Sequence, residues 1–169
     1  MSLMTPFQRD RVEDREAWAR EVAELRAAVG ESAERGVVLG KLGDLLRVGG
    51  EEEEAVWVLQ EALAVSRERE DEARIRANTI RLATALQYCG DHDRAREMLE
   101  ELLTRIEGSS DPAHFDFAVQ HLGKVHAEQG RWDDAVECFA GALELRRGAP
   151  TEASSQRALD EARARRDGA

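Results

Sequence analysis

The chain has 169 residues, of which 42% are hydrophobic and only three are prolines, and this composition fits one helix-rich domain. Its net charge of −11 argues against nucleic acid as a general partner, because a phosphate backbone requires a basic face. No apolar run is long enough to cross a bilayer, and the N-terminal stretch lacks a signal-peptide core. We therefore expect a soluble, cytoplasmic protein without nucleic-acid or membrane partners.

Two compositional details refine this expectation. Cys89 and Cys138 do not make a disulfide framework, so we expect both to be reduced, with Cys138 acting as a small core residue. Arginine outnumbers lysine by 22 to 2, which we interpret as a sign of a GC-rich, bacterial genome.

The N-terminal region predicts one helix. Residues 1–5 resemble the remnant of an expression tag and are expected to be disordered. A loose apolar stripe from Val12 through Trp18 to Val29 then predicts a capping helix within residues 6–30. We expect this helix to shield the front of the fold. Docking of a second subunit against it is the open alternative.

The next three segments, residues 32–70, 72–109 and 111–149, each predict a pair of helices. The first helix of a pair, here called an A helix, carries apolar residues at three and four spacing. The second, here called a B helix, opens with acidic residues, which we expect to cap free backbone N–H groups at the positive end of the helix dipole. The predicted bounds are 32–48, 72–89 and 112–129 for the A helices, and 51–68, 91–107 and 131–147 for the B helices.

The start of the third pair and the C-terminal segment complete the predicted elements. Asp111 is predicted as the N-cap of the third A helix, with Pro112 as its first helical residue. Residues 151–166 predict a lone A-type helix with a polar outer face, because the ends of repeat arrays need such caps. Residues 1–169 would then form a single domain.

A shift of forty residues aligns the three pairs. The aligned columns hold a glycine, an alanine and large apolar residues, namely Gly50, Gly90 and Gly130; Ala55, Ala95 and Ala135; Leu59, Leu99 and Phe139; Leu63, Leu103 and Leu143; Leu42, Leu82 and Leu122. The glycine accepts the left-handed backbone that ends a helix, and the alanine lets two helices approach closely. A fixed period of this size indicates stacked helix pairs, each unable to bury its apolar face alone.

These columns resemble the tetratricopeptide repeat (TPR) family over residues 34–149. The third copy carries the family pattern almost in full, in Leu122, Gly123, Gly130, Trp132, Ala135, Phe139 and Ala142. The resemblance implies an all-α, right-handed α-α superhelix of three helix pairs with one extra helix at each end, in the long-repeat branch with a period of about 40 residues. It also implies that the A helices line the inner, concave wall and the B helices the outer wall.

No set of residues in the sequence predicts catalysis or a metal site. The four histidines, at positions 92, 114, 121 and 126, lack the i, i+4 spacing of a helical metal site. The pair Gly49-Gly50 follows a helix and lacks the lysine and hydroxyl of a phosphate-binding loop. We therefore expect no enzyme activity and no cofactor.

The A helices hold the positive charge of this acidic protein. They carry a net +3 and the B helices a net −9, counted over residues 34–48, 74–88 and 114–128 and over residues 51–68, 91–107 and 131–147. We predict that the concave groove binds a protein or peptide segment that is acidic or carries a free carboxylate, through charge-assisted contacts and an aromatic anchor. The candidate binding residues are Lys41, Asp44, Arg47, Arg81, Thr84, Gln87, Tyr88, Phe117, His121 and Lys124.

Three alternatives stay open. In the first, the bases of the A helices pair with Asp44, Glu128 and solvent and bind no ligand. In the second, the chain is a self-associating structural unit, a homodimer through terminal helices that present Trp18 or Leu159 to a second copy. In the third, the chain is a signal-peptide or small-ligand sensor within a larger regulator, which tightens around its ligand.

Overall fold

The computed structural model describes residues 9–30 and 34–168, and within these ranges it contains eight α-helices and no strand. The helices are α1 Arg15–Ala28, α2 Arg35–Gly49, α3 Glu52–Glu68, α4 Glu72–Tyr88, α5 His92–Glu107, α6 Phe115–Glu128, α7 Trp132–Leu145 and α8 Glu152–Asp167. The A helices are α2, α4 and α6, and the B helices are α3, α5 and α7. The predicted all-α class is confirmed.

Contacts among these helices define two compact units. The first unit spans Asp10–Asp91 and contains α1 to α4, whereas the second unit contains Arg9 and residues 92–168 with α5 to α8. In the first unit α3 packs against α2 and α4, α2 also packs against α4, and α1 packs against α2. In the second unit α6 packs against α5 and α7, and α8 packs against α7.

The repeated glycines end the A helices as predicted. Gly50, Gly90 and Gly130 have φ angles of 91°, 83° and 72°, in the left-handed region that glycine adopts without steric cost. After each glycine, the next backbone N–H donates to the carbonyl five residues back, as Glu51 does to Leu46 at 3.0 Å. The chain therefore leaves every A helix by the same hydrogen-bonded turn.

For α3 and α7, the predicted capping by acidic side chains is wrong. Glu51 is the N-cap of α3, and Arg131 is the N-cap of α7, but neither side chain makes a cap hydrogen bond. The carboxylates of Asp133 and Asp134 lie within the first turn of α7 instead. At that position they still benefit from the positive end of the helix dipole.

The predicted start of the third A helix is also wrong. It begins at Phe115, with His114 as N-cap, three residues after Pro112. The Asp111 carboxylate accepts a hydrogen bond from the Ala113 N–H at 2.9 Å, so it closes a turn ahead of the helix rather than capping the helix itself.

The N-terminal helix is shorter than predicted. It begins at Arg15 because the Asp14 carboxylate accepts a hydrogen bond from the Ala17 N–H at 2.9 Å, which marks the helix start. The expected disorder of residues 1–5, and the predicted helix starts at residues 6 and 32, lie outside the described residues.

Trp18 fastens α1 to α2. Its indole N–H donates to the Leu45 carbonyl at 2.7 Å, and its ring lies so close to Gly49 that no side chain would fit there. The indole is therefore directed into the first unit.

Small residues on A helices face large residues on B helices within each unit. Leu59 of α3 lies over Gly43 of α2, and Phe139 of α7 lies over Gly123 of α6. Both large side chains are fully buried. Residues eighty positions apart therefore make equivalent packing contacts, in which a glycine of the A helix faces a large side chain of the B helix.

Helix α8 packs against α7 at the end of the second unit, with the residues of its predicted apolar register facing inward. Leu159 and Ala162 are buried in one apolar cluster with Phe139. Because Leu159 is 2% exposed, it contributes to the core of its own unit rather than to an external surface.

Candidate protein-binding surface

The predicted binding residues of the first unit lie on α2 and α4, which pack side by side. Lys41 is exposed, and Asp44 and Arg81 are partly exposed. The remaining candidates are buried side chains of the same two helices, namely Arg47, Thr84, Gln87 and Tyr88. Only part of the predicted surface of this unit therefore reaches solvent directly.

The predicted binding residues of the second unit lie on α6. Phe117, His121 and Lys124 recur at helical spacing and form one stripe of that helix. Phe117 is 43% exposed, and the Arg146 guanidinium stands 4.7 Å from the centre of its ring. His121 and Lys124 are partly exposed.

Tyr88 lies at the centre of a charged cluster in the first unit. The Arg47 guanidinium is 4.7 Å and the Arg11 guanidinium 5.5 Å from the centre of the Tyr88 ring, distances at which a cation is attracted to an aromatic face. Arg47 also donates to the Asp44 carboxylate at 2.7 and 3.0 Å, and lies 3.8 Å from the Asp10 carboxylate. The cluster joins both A helices of the unit to residues that precede α1.

The Tyr88 hydroxyl accepts a hydrogen bond from the backbone N–H of Asp10 at 2.7 Å. Burial raises the pKa of Tyr88, and the Asp10 carboxylate raises it further, whereas the Arg47 charge acts in the opposite direction. The phenol therefore keeps its proton at neutral pH while its oxygen accepts a main-chain donor.

The C-terminal end of α2 receives hydrogen bonds from the same N-terminal region. The Val12 N–H donates to the Val48 carbonyl at 3.1 Å, and the Arg15 guanidinium donates to the Gly49 carbonyl at 2.6 Å. The last carbonyls of a helix lack partners within the helix and carry the negative end of its dipole. Residues 10–12, here called the leading segment, thus lie over the ends of α2 and α4.

Asn78 ties together three helices of the first unit. Its amide nitrogen donates to the Ser66 hydroxyl of α3 at 3.0 Å and lies 3.3 Å from the Ala62 carbonyl of α3 and 3.4 Å from the Gly36 carbonyl of α2. The Arg81 guanidinium donates to its carbonyl oxygen at 3.1 Å. This buried amide is therefore a packing residue that positions the Arg81 side chain at the surface of α4.

In the second unit Arg9 forms a bidentate ion pair with Glu128. Its guanidinium donates to the two carboxylate oxygens at 2.8 and 3.1 Å, and the Glu128 side chain is 7% exposed. In the forty-residue register Glu128 stands in the same column as Val48 and Tyr88. Arg9, Asp10 and Val12 therefore contact Glu128, Tyr88 and Val48 respectively, which are equivalent positions of the three A helices.

No local sequence signal predicts the leading segment or the exposure of Trp57. The apolar stripe that starts at Val12 predicts the leading segment as part of the capping helix, which is wrong because α1 begins at Arg15, and the segment's partner Tyr88 is 78 residues away along the chain. Trp57 on α3 is 78% exposed, off the buried stripe of that helix. Helical periodicity identifies the residues of a core stripe, but it gives no information about long-range contacts of irregular segments.

The described residues contain neither a metal-binding cluster nor a thiolate at Cys138. Within residues 9–30 and 34–168, no group of three or more His, Cys, Asp or Glu residues could hold a metal ion. Burial raises the pKa of the Cys138 thiol to about 12, with Glu137 adding to the shift, so this cysteine is protonated, whereas a nucleophilic cysteine is a thiolate.

Across the two described ranges of the chain, no helix has both the length and the apolar character needed to span a membrane.

Comparison with known proteins places the fold. Residues 74–147 match the model of the tetratricopeptide repeat family. No curated protein matches the chain.

The nearly identical TPR-like repeats of a protein described as a kinesin light chain from Podospora anserina are similar in structure. Their crystal structure has a TM-score of 0.64 and 20% identity, over 91% of this chain and 79% of that chain. A second crystal structure of the same repeats, with one glutamine replaced by methionine, gives a TM-score of 0.66 with the same identity and coverage. At this identity the likeness concerns the fold alone.

Proposed function

From the match of residues 74–147 to the tetratricopeptide repeat family and from the TPR-like fold, we propose that this chain is a non-catalytic interaction module that binds a partner segment on the faces of its A helices. TPR repeats generally mediate protein–protein interaction. The ligand that we propose is a protein or peptide segment with acidic residues or a free carboxylate.

The contact that carries this proposal is the one between the Tyr88 cluster and Asp10. Two A helices of the first unit hold an acidic residue of a non-helical segment, with its N–H on the Tyr88 hydroxyl and its carboxylate 3.8 Å from Arg47. Charge-assisted contacts of this kind are stronger than neutral hydrogen bonds. The same chemistry suits an acidic segment of another protein.

Two further cations on the same two helices extend the suitable surface. Lys41 is exposed on α2, and Arg81 is partly exposed on α4. The net +3 of the A helices contrasts with the net −9 of the B helices, so an acidic ligand is attracted to the former and repelled by the latter.

Peptide binding at two salt concentrations tests the function. We expect labelled acidic peptides to bind more tightly than neutral peptides of the same length, and the affinity to fall between low and moderate salt. Lys41→Glu and Arg81→Glu should each weaken binding, by roughly tenfold for the loss of about 1.4 kcal/mol. The matched control is Arg67→Glu, which reverses an exposed charge on the B helix α3 and should leave the affinity unchanged. Binding that ignores salt and both A-helix substitutions would contradict an electrostatic site.

Self-association is the alternative from a different functional class. The two residues expected to present a dimer surface contact their own units, Leu159 in the apolar cluster and Trp18 against Gly49, which disfavours a dimer through them. A molar mass that stays monomeric over a wide concentration range in light scattering would exclude this alternative. We further propose a cytoplasmic location, where cysteines stay reduced.

A further inference from the structure

The leading segment contacts the ends of α2 and α4 through both its main chain and its side chains. The N–H groups of Asp10 and Val12 donate to the Tyr88 hydroxyl and the Val48 carbonyl, at 2.7 and 3.1 Å. Between them, the Arg11 guanidinium lies 5.5 Å from the centre of the Tyr88 ring. Alternate main-chain donors with charged side chains between them are what a bound peptide presents to a receptor.

The surface also matches the segment in charge. Arg47 is buried, and its guanidinium faces the carboxylates of Asp44 and Asp10 together with the Tyr88 ring. Asp44 is fixed one turn away on the same helix, whereas Asp10 comes from a segment outside the helices. The Asp10 carboxylate is therefore the exchangeable partner of this buried cation.

We propose that residues 10–12 are an intramolecular occupant of the surface formed by the ends of α2 and α4, and that an acidic partner segment binds there by displacing them. This inference rests on the proposed function, because it assigns the acidic ligand to the Tyr88 cluster. The incoming segment places a carboxylate beside Arg47 and a backbone N–H on the Tyr88 hydroxyl. The occupied and displaced states then differ in which chain supplies these two groups.

Tethering makes the occupant an effective competitor. A segment joined to its site by a short linker acts at an effective concentration on the order of millimolar, so a free peptide must outcompete it. Loosening the leading segment should therefore raise the affinity for the partner without any change in the receiving surface.

The test compares two variants of equal net charge. Asp10→Ala/Arg11→Ala removes the side-chain contacts of the leading segment, whereas the control Glu13→Ala/Arg20→Ala removes an exposed acid and an exposed base nearby. The probe is a fluorescein-labelled peptide of alternating aspartate and serine, followed by fluorescence anisotropy. We expect the first variant to bind the probe roughly tenfold more tightly than wild type, and the control to match wild type.

Hydrogen exchange gives a second readout of displacement. The Asp10 and Val12 amides are hydrogen-bonded in the occupied state, so their exchange should be slow in the free protein and should accelerate when the probe saturates it. Equal affinities for all three proteins, with both amides still protected in the complex, would overturn the displacement but leave peptide binding intact. A probe that binds none of the proteins would contradict both the displacement and the proposed acidic ligand.

Discussion

Glycines at the crossing points of the helices determine how closely the helices of a pair approach. A Cβ atom at position 123 would lie 2.7 and 2.8 Å from ring carbons of Phe139 and 3.0 Å from the Cβ of Cys138. Gly43 faces Leu59 in the same way. The sequence register identifies both glycines, since each follows the aligned leucine of its A helix, but only the packing explains why nothing larger fits.

We predict that Gly123→Ala lowers the free energy of unfolding by about 1–3 kcal/mol, because the fully buried Phe139 ring has no free space to move into. The matched control is Gly141→Ala in α7, where the nearest atom would be Val119 Cγ1 at 3.8 Å. Alanine there should raise the free energy of unfolding by about 0.5–1 kcal/mol, because it restricts the unfolded chain. Urea unfolding followed by tryptophan fluorescence measures both. Two changes of the same sign would contradict the close approach.

The candidate site shows where residue-level prediction stops. Tyr88 and Arg47 follow from the A-helix positions that lie off the apolar stripe, and the structure brings them within 4.7 Å of each other. Their contacts with Asp10 and Arg11 do not follow, because the sequence predicts these two residues within the capping helix, whereas the structure places them before α1. The long-range partners of such a segment cannot be predicted from its local sequence.

At the scale of the element, apolar periodicity predicts the helices well, and irregular ends poorly. The glycine that ends each A helix is visible in the sequence, because left-handed backbone has a strong residue preference. The start of α6 is not visible in the sequence, because the Asp111 carboxylate can accept a hydrogen bond either in a local turn or at a helix N-terminus, and it does so in the turn. Short-range competition of this kind is decided by packing rather than by the residue type.

The attachment of α8 depends on a polar network that the sequence does not indicate. Arg146 is 4% exposed, and its guanidinium donates to the Asp116 carboxylate at 2.8 Å and to the Ser155 hydroxyl at 3.1 Å. The Ser155 hydroxyl in turn donates to the Gln120 side chain at 2.8 Å. One arginine after α7 therefore connects α6 with α8.

Arg146→Ala should lower the free energy of unfolding by about 1–3 kcal/mol, because it leaves the buried Ser155 hydroxyl and the partly exposed Asp116 carboxylate without this donor. The neighbouring Arg147 is the control, since it is largely exposed and pairs with Glu144 on the surface. Arg147→Ala should change stability by less than about 1 kcal/mol. Thermal and urea unfolding of the two variants compare these costs. Equal losses would show that the network does not hold α8 in place.

At the scale of the whole molecule, the repeat register accounts for the fold class, and the charge distribution suggests the function. Helix pairs with a fixed period cannot bury their apolar faces alone, which is why the chain forms TPR-like repeats rather than separate helices. The partner's identity does not follow from these properties, because packing residues dominate the repeated columns. What the A helices bind is expressed in residues that differ between copies, such as Val48, Tyr88 and Glu128.

The central claim is that the A helices, not the B helices, receive the partner, and mapping a bound peptide on the first unit tests it most directly. In a titration of isotope-labelled protein with the aspartate-serine peptide, we expect the largest NMR shift changes at Lys41, Asp44 and Tyr88. The exposed Trp57 indole on α3 should be unaffected, because it lies on the acidic B helix. Changes centred on α3, with α2 and α4 undisturbed, would contradict the account.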